Sequence, residues 1–252
     1  MADQSPTAAV LLIGDEILSG RTKDKNLGFI ADYLTVLGID LKEARVVPDI
    51  EDEIVQAVNA LRRRYTYVFT TGGIGPTHDD ITADAVAKAF DVEIDHHPQA
   101  VEILLAHFKQ IGREPNEARL RMARTPKGAT LIANPVSKAP GFSLGNVHVM
   151  AGVPSIMQAM LDVLAQKLPT GRKMMSRSLP AGMGEGKIAT RLGEIQAAYP
   201  EVSVGSYPTF DPATGFTTTI VVRSRDEEKL TGAETAVAKM IRELHAGGKP
   251  PD

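Results

Sequence analysis

Two adjacent carboxylates follow a glycine-rich run in the first half of the chain. The run Gly72–Pro76 reads Gly-Gly-Ile-Gly-Pro, and Asp79 and Asp80 come shortly after it. Glycines let the backbone approach a phosphate closely, and free backbone N–H groups bind such an anion. Carboxylates beside a phosphate loop are typical of a divalent cation held between protein and ligand. The pattern predicts a metal-assisted phosphate site, with helix capping by Asp79 or Asp80 as the alternative.

Two better-known phosphate loops are excluded by this stretch. A Walker loop requires Gly-Lys followed by Ser or Thr, and no lysine lies between Thr70 and Ala87. The dinucleotide fingerprint Gly-x-Gly-x-x-Gly begins at Gly73 but has His78 at the position of its third glycine. Anion binding at this loop is therefore expected to depend on its backbone N–H groups.

The elements around this loop predict a parallel sheet with polar groups at one edge. The run Tyr65–Thr70 before the loop is rich in strand-forming residues. Two earlier predicted strands also end in acids, because Ala8–Ile13 precedes Gly14–Glu16 and Ile39–Val47 precedes Asp49. Parallel strands present their carboxyl ends, and hence their ligand-binding loops, at the same edge of a sheet. We therefore expect these acids and glycines to lie together.

Helical periodicity between these strands completes the fold prediction. Asn26–Leu37 and Ile50–Arg64 carry apolar residues at helical spacing. Alternation of strands and helices predicts an α/β fold with a doubly wound, mostly parallel sheet in three layers. Further predicted elements are helices at Pro98–Ile111, Pro115–Met122 and Pro154–Leu168, a strand at Ala129–Ala133, and a hairpin of Phe142–Leu144 with Val147–Met150.

The segment Pro169–Gly171 predicts a domain boundary. We expect a site-bearing domain at residues 1–170, a small α+β domain of βαββα order at 173–246, and a flexible tail at 247–252. The predicted elements of the small domain are Met175–Leu179, Glu185–Tyr199, Val202–Tyr207, Phe216–Arg223 and Asp226–His245.

Four arginines, Arg113, Arg119, Arg121 and Arg124, lie in and around the predicted short helix. They could reach a phosphate-rich ligand, or they form a solvated face.

Two other motifs are weak. Gly141–Gly145 matches Gly-x-Ser-x-Gly, but a nucleophile elbow needs a helix after its serine and another strand is predicted there. The pair His96-His97 lacks the spacing of a zinc motif. We therefore predict neither a serine hydrolase nor a zinc site.

Composition narrows the classes of partner. The 252 residues carry a net charge of -3 with 5% aromatic residues and no tryptophan, which argues against nucleic-acid binding. The absence of cysteine fits a cytoplasmic location. The apolar run Ala8–Ile13 has no basic residues before it and is too short for a bilayer, so neither a signal peptide nor membrane association is expected.

The run Thr70–Thr82 closely resembles the molybdopterin-binding domain family, in the branch of the amino-terminal region of competence/damage-inducible protein A, CinA. The other stretches that carry the resemblance are Gly14–Gly20, Asn26, Val47–Asp49, Asn134–Phe142 and Met150–Pro154. The sequence departs from the family pattern where Ala151 replaces a proline, and where Arg119 and Met122 replace an asparagine and a glutamine.

The resemblance implies a metal-dependent pyrophosphatase that acts on ADP-ribose or related nucleotide diphosphates. An alternative is the binding or adenylylation of molybdopterin in molybdenum cofactor biosynthesis, and a third is a non-enzymatic nucleotide-binding or assembly role. The ligand would be a nucleotide or a pterin, and a homo-oligomer is expected from the relatives. Full-length relatives carry a further deamidase domain that does not occur in this sequence, so no amidase activity is assigned.

The resemblance also implies roles for single residues. Asp49 and Asp80 match acids that matter to the family's chemistry and would hold Mg²⁺, Mn²⁺ or Co²⁺, with Asp79 and Glu16 as further catalytic candidates. The residues expected to bind the substrate are Gly14, Asp15, Asn26, Thr71, Gly72, Gly73, Gly75, Thr77, Pro140, Gly141, Gly152, Val153 and Pro154.

Overall fold

The computed structural model of the chain describes residues 5–212 and 215–247. The chain divides into two compact units, Met1–Gly171 and Arg172–Asp252. Of the predicted flexible tail, Gly247 ends the last helix, and residues 248–252 lie outside the described residues.

The first unit alternates strands and helices along most of its length. Its elements are β1 (Thr7–Ile13), α1 (Asp15–Leu18), α2 (Asn26–Val36), β2 (Asp40–Val47), α3 (Glu51–Arg62), β3 (Tyr67–Thr71), α4 (Thr82–Phe90), β4 (Ile94–His96), α5 (Pro98–Gln110), α6 (Glu117–Leu120), a 3₁₀ turn (Arg121–Ala123), β5 (Arg124–Pro126), β6 (Thr130–Ile132), β7 (Gly141–Leu144), β8 (Val147–Met150) and α7 (Pro154–Ala165).

Six of these strands form one sheet in the order β2-β1-β3-β8-β7-β6. The first four strands in this order are parallel, and β7 and β6 add an antiparallel edge. The strand β1, between β2 and β3, is apolar from Ala8 to Ile13, as expected of a strand that is covered on both faces. Ala9, Leu11 and Ile13 face one core with α3 and α4, whereas Val10 and Leu12 face a second core with α2 and α7. The predicted three-layer α/β fold is confirmed.

Two small features were absent from the sequence prediction. The helical turn α1 follows β1 directly, and β4 pairs with β5 in a separate two-stranded sheet. Strands of three residues are too short to show an alternating pattern, which explains why they escape detection. The predicted helix Pro115–Met122 is instead the short α6 followed by a 3₁₀ turn.

The second unit has the predicted βαββα order. Its elements are β9 (Met175–Pro180), α8 (Glu185–Ala198), β10 (Ser203–Asp211), β11 (Gly215–Ser224) and α9 (Glu227–Gly247). The strands form an antiparallel sheet in the order β10-β11-β9. Its own core includes Ile188, Val202, Ile220, Val222 and Leu230. Across the described ranges of both units, no helix combines the length and apolarity needed to cross a membrane.

Candidate functional site

The carboxyl ends of four parallel strands place the predicted site loops at one edge of the sheet. Ile13 is in register with Val47, Leu12 with Thr71, and Thr71 with Met150. The segments that follow these strand ends contain the acids after β1 and β2, the glycine run after β3, and Ala151–Pro154 after β8. The structure thus brings together the loops that the strand pattern predicted to meet.

The glycine run after β3 is held in a conformation that only glycine permits. Gly72 and Gly73 have φ of 105° and 65°. A Cβ on Gly72 would lie 2.1 Å from the carbonyl oxygen of Ile13, and one on Gly73 would lie 2.2 Å from Oγ1 of Thr82. Thr82 fixes the run by donating from its hydroxyl to the Gly72 carbonyl (2.9 Å) and from its N–H to the Gly73 carbonyl (3.0 Å).

The bonding of the run leaves donors free. The N–H of Gly72 donates to the carbonyl of Met150, but the N–H groups of Gly73, Ile74 and Gly75 have no acceptor within the described residues. All three residues line a cavity of about 480 Å³, which we call the inner cavity. Backbone N–H groups that are held in place and have no partner are suited to bind a phosphate.

The inner cavity collects many of the predicted site residues. Its volume is that of a typical small-molecule site. The residues that line it are Glu16, Thr22, Gly72, Gly73, Ile74, Gly75, Asp80, Met122, Asn134, Ser137, Ala139, Ala151, Gly152, Val153, Pro154 and Ile156. The helix α7 begins at this wall, with Val153 as its N-cap and no side-chain capping bond. The positive end of the α7 dipole therefore also acts on the cavity.

Asp80 lines the inner cavity and closes the loop that contains it. Its Oδ2 accepts hydrogen bonds from the N–H of Thr77 (2.8 Å) and from the hydroxyl of Thr77 (2.5 Å). The carboxylate packs against Gly75, where a Cβ would lie 2.6 Å from Oδ2. The N-cap of α4 is Ile81 without any side-chain bond, so the alternative that Asp79 or Asp80 caps this helix is wrong.

Asp49 lies among other acids. Its Oδ2 accepts a hydrogen bond of 2.9 Å from the N–H of Asp15. Burial raises the pKa of Asp49, the bond from Asp15 opposes this, and the negative charges of Glu16, Asp15 and Asp79 raise the pKa further. Acids from three separate loops are thus within electrostatic range of one another, and a bound cation would relieve their repulsion.

The residues fit a divalent cation that completes its coordination with ligand oxygens. In the described part of the chain, no three His, Asp or Glu side chains are arranged to hold a metal by themselves. Glu16 and Asp80 both line the inner cavity, whereas Asp49 does not. Mg²⁺ commonly uses one or two carboxylates together with water and substrate phosphates. Glu16 and Asp80 are the two carboxylates that line this cavity, and Asp49 adds a negative charge near Glu16.

Asn26 offers an unsatisfied acceptor near this edge. Its side chain is 5% exposed, and its Nδ2 donates to the carbonyl of Gly152 (2.8 Å). Its Oδ1 is buried and has no partner, which is unusual for a buried polar atom. Asn26 lines a small cavity together with Glu16 and Thr71. It is therefore suited to accept a hydrogen bond from a ligand or an ordered water.

The amino terminus of α2, by contrast, is already occupied. Asp24 accepts hydrogen bonds from the N–H groups of Asn26 (3.1 Å) and Leu27 (3.0 Å). The sequence analysis missed this capping residue, although an aspartate just before a helix start is a recognised signal. The capped end of α2 makes Asn26 available through its side chain alone.

Gly141 and Pro140, both predicted to bind substrate, do not line the inner cavity. Gly141 is buried in β7, and a Cβ there would lie 2.3 Å from the carbonyl oxygen of Val149. Pro140 lines a narrow cavity that adjoins the inner one. The inner cavity is instead bordered by the turn of Asn134, whose Nδ2 donates to Ser137 Oγ (2.6 Å) and to the carbonyl of Ala139 (2.8 Å).

The four arginines differ in position, since two of them lie beside the candidate site and two do not. Arg124 donates to both oxygens of Asp84 (2.6 and 3.2 Å), and Arg121 donates to the Asp80 carbonyl (3.2 Å) and to Asp84 (3.5 Å). Arg119 lies over the ring of Phe108, with its guanidinium carbon 5.4 Å from the ring centroid. Arg113 is exposed. Only Arg121 and Arg124 therefore border the candidate site.

The Gly-x-Ser-x-Gly motif does place a serine beside a histidine. Ser143 Oγ lies 2.8 Å from Nδ1 of His148 on the neighbouring strand. His148 packs against the rings of Tyr67 and Phe69, and its Nε2 has no partner. Burial lowers the pKa of His148 to about 4. A neutral histidine without an acid behind it does not form a catalytic triad.

Comparisons with known proteins give a consistent relationship. Residues 9–170 match the family described as "Probable molybdopterin binding domain", and residues 173–246 match "FAD synthase, middle domain". A protein from Aeropyrum pernix is 33% identical over 215 residues, covering 82% of this chain and 80% of its own length. A CinA-like protein from Citrifermentans bemidjiense is 36% identical over 209 residues, covering 81% of this chain and 49% of its own.

A solved structure extends the relationship to the fold. The protein CinA from Thermoplasma acidophilum is 33% identical and superposes with a TM-score of 0.60, covering 65% of this chain and 98% of its own. The resemblance noted in the sequence is therefore confirmed, although this chain spans about half of the length of the Citrifermentans relative. The family match covers well over half of the chain, which belongs to the molybdopterin-binding domain family and has CinA-like proteins among its relatives.

Proposed function

We propose that the chain is a divalent-metal-dependent pyrophosphatase acting on ADP-ribose-like nucleotide diphosphates. The observation that carries this proposal is the set of unpaired N–H groups of Gly73, Ile74 and Gly75, residues that line the same cavity as Glu16 and Asp80. A diphosphate needs hydrogen-bond donors for its oxygens and a cation that offsets its negative charge. The N–H groups of the glycine run are such donors, and Glu16 and Asp80 are carboxylates suited to hold the cation.

The chain's own residues would divide the hydrolysis between them. The glycine run holds one phosphoryl group, and the α7 dipole stabilises its negative charge. Glu16 and Asp80 would hold the cation, which would offset the charge of the diphosphate and lower the pKa of a bound water. Asp49, which lies within electrostatic range of Glu16, would accept the proton of the attacking water. The water oxygen bonds to phosphorus as the bridging P–O bond breaks, so that ADP-ribose yields AMP and ribose 5-phosphate.

The decisive test measures AMP release from ADP-ribose, FAD, NAD and diadenosine compounds with Mg²⁺, Mn²⁺ or Co²⁺. We expect metal-dependent cleavage that falls by about 10²–10³-fold in Asp80→Asn, because Asp80 lines the phosphate cavity. Asp32→Asn, which removes an exposed carboxylate on α2, is the matched control and keeps wild-type activity. Absence of AMP release under all metals would overturn the proposal.

A second candidate is molybdopterin binding or adenylylation, favoured by the apolar wall of the inner cavity. Ile74, Met122, Ala139, Ala151 and Ile156 form a surface on which a flat ring such as a pterin can lie. The family description of residues 9–170 points in the same direction. Molybdopterin binding in a titration, with ATP-dependent adenylylation and no AMP release from the dinucleotides, would favour this function.

A binding-only role is the third alternative, because an intact site does not guarantee turnover. Ligand affinity that persists in Asp80→Asn, with no activity in either protein, would support it. We also propose a homo-oligomer, which light scattering after size-exclusion chromatography tests directly by measuring the molar mass in solution.

A further inference from the structure

Three cavities adjoin one another along the glycine run. The narrow cavity beside the inner one shares Gly73, Gly75, Asp80 and Met122 with it. A third space of about 580 Å³, which we call the outer cavity, shares Arg121 and Arg124 with the narrow one. The residues that line the outer cavity are Pro76, Thr77, His78, His96, Glu117, Ala118, Arg121 and Arg124. The site therefore continues from the inner cavity to the outer one through residues that neighbouring cavities share.

The two arginines share one carboxylate between them. Arg124 forms a bidentate pair with Asp84, and Arg121 reaches the same carboxylate at 3.5 Å. Arg121 uses only Nη2 in its bonds, so its Nε and Nη1 have no acceptor among the described residues. Because two guanidinium groups share one carboxylate, one positive charge is left without a matching negative charge. N–H donors of the guanidinium groups also remain available for an anion.

The remaining side chains of the outer cavity add donors and one opposing charge. His78 and His96 are exposed imidazoles that can donate hydrogen bonds, and each also has a carboxylate nearby, Asp79 for His78 and Asp95 for His96. Glu117 is exposed, carries the one carboxylate in the lining, and has no ion-pair partner in the described part of the chain. His78, His96 and Glu117 are not arranged to hold a metal ion. An anion is therefore the ligand for which this cavity has the most donors.

We propose that the outer cavity is a subsite for a terminal phosphate monoester, located at the end of the substrate away from the cleaved diphosphate. The inference rests on the proposed function, because the glycine run is taken to hold the diphosphate. Arg121 and Arg124 supply the charge-assisted hydrogen bonds, and the two histidines complete the contacts. The preferred substrates are dinucleotide-like molecules that carry an additional phosphate.

The test compares ligand pairs that differ by one phosphate monoester, NADP against NAD and coenzyme A against dephospho-coenzyme A. Calorimetric titration without divalent metal measures affinity independently of turnover. We expect the phosphorylated member of at least one pair to bind more tightly by on the order of tenfold, as one charge-assisted bond provides. The preference should disappear in Arg121→Gln.

Arg121 also donates to the Asp80 carbonyl, so its replacement changes the loop and the recognition of the phosphate monoester together. Variants of other residues in the outer cavity separate these two effects. His96→Gln should reduce the preference, and Glu117→Gln should increase it because a repulsive charge is removed. Arg113→Gln, an exposed arginine outside the cavity, is the control and should change nothing. Equal affinities within both pairs, or a preference insensitive to Arg121, His96 and Glu117, would overturn the subsite. A phosphate preference without any AMP release would overturn only the pyrophosphatase.

Discussion

Two regions of the first unit carry motifs associated with catalysis, and they differ in what their polar atoms are bonded to. Ser143 and His148 match a hydrolase motif and lie 2.8 Å apart, but they bond to each other on adjacent strands inside the sheet. The glycine run after β3 is equally well fixed, through Thr82 and Met150. The N–H groups of Gly73, Ile74 and Gly75, however, have no partner among the described residues, and these three residues line a cavity.

This difference separates a structural polar pair from a binding site. Ser143 and His148 bond to each other, and the atom of this pair that has no partner, Nε2 of His148, is buried in the core. A loop whose carbonyl oxygens are tied down while its N–H groups stay free is arranged for an anion before the anion arrives. Changes at the loop should therefore affect binding, and changes at Ser143 or His148 should affect only stability.

The largest effect is expected for Gly72→Ala. The alanine Cβ would lie 2.1 Å from the Ile13 carbonyl oxygen at a φ of 105°, so β1 or the loop must move. We expect a loss of more than about 3 kcal/mol in the free energy of unfolding, and loss of inorganic pyrophosphate binding. Urea unfolding and calorimetric titration measure the two quantities.

A second glycine provides the matched control for this substitution. Gly28 lies in α2, is exposed, and a Cβ there would meet no atom within 4 Å. Gly28→Ala should raise the free energy of unfolding by about 0.5–1 kcal/mol and leave pyrophosphate binding unchanged. If Gly72→Ala behaved like Gly28→Ala, the loop would not have the rigidity assigned to it.

An intermediate effect is expected from the pH dependence of His148. Burial lowers its pKa to about 4, whereas the unfolded chain has the ordinary value near 6.5. Below pH 6.5 the unfolded state therefore binds more protons, and stability is lost as the pH falls from 6.5 towards 4. At pH 5 the loss from this residue is roughly 2 kcal/mol. Urea unfolding at pH 7 and pH 5 measures it.

The comparison protein for this measurement is His148→Gln, which keeps a polar side chain that does not titrate. Its stability should change less between pH 7 and pH 5 than that of the wild type, by the same roughly 2 kcal/mol. An identical pH dependence in both proteins would show that His148 is not held neutral by burial. AMP release at pH 7 should be the same in both, because His148 does not line the inner cavity.

The gathering of the site loops could be predicted from the sequence because it follows from strand direction. Predicted strands that are followed by Gly14, Asp49 and Gly72 fix which residues lie at the carboxyl edge once the strands are parallel. The glycine run could also be recognised as an anion loop from its residue types alone. These features depend on local pattern and on a general rule of sheet topology.

Other features of the site depend on distances that the sequence does not contain. The predicted metal pair was Asp49 with Asp80, but the structure places Asp49 near Asp15, Glu16 and Asp79, whereas Asp80 bonds to Thr77. Which N–H groups remain unpaired is likewise decided by the loop's tertiary bonds. Asp49 as a metal ligand stays a prediction beside the base role proposed for it above, and the metal dependence of Asp80→Asn tests only the part of the assignment that concerns Asp80.

The smallest effect is expected for Ser143→Ala. The change removes one hydrogen bond to a neutral histidine and should lower the free energy of unfolding by about 1 kcal/mol. Because Ser143 lies outside the inner cavity, AMP release should stay within twofold of the wild type, roughly 0.4 kcal/mol in activation free energy. A folded Ser143→Ala protein with a tenfold loss of AMP release would mean that the serine–histidine pair takes part in the reaction. The distinction between paired and unpaired polar atoms would then fail as a guide to this site, because a pair closed within the sheet would have to open during turnover.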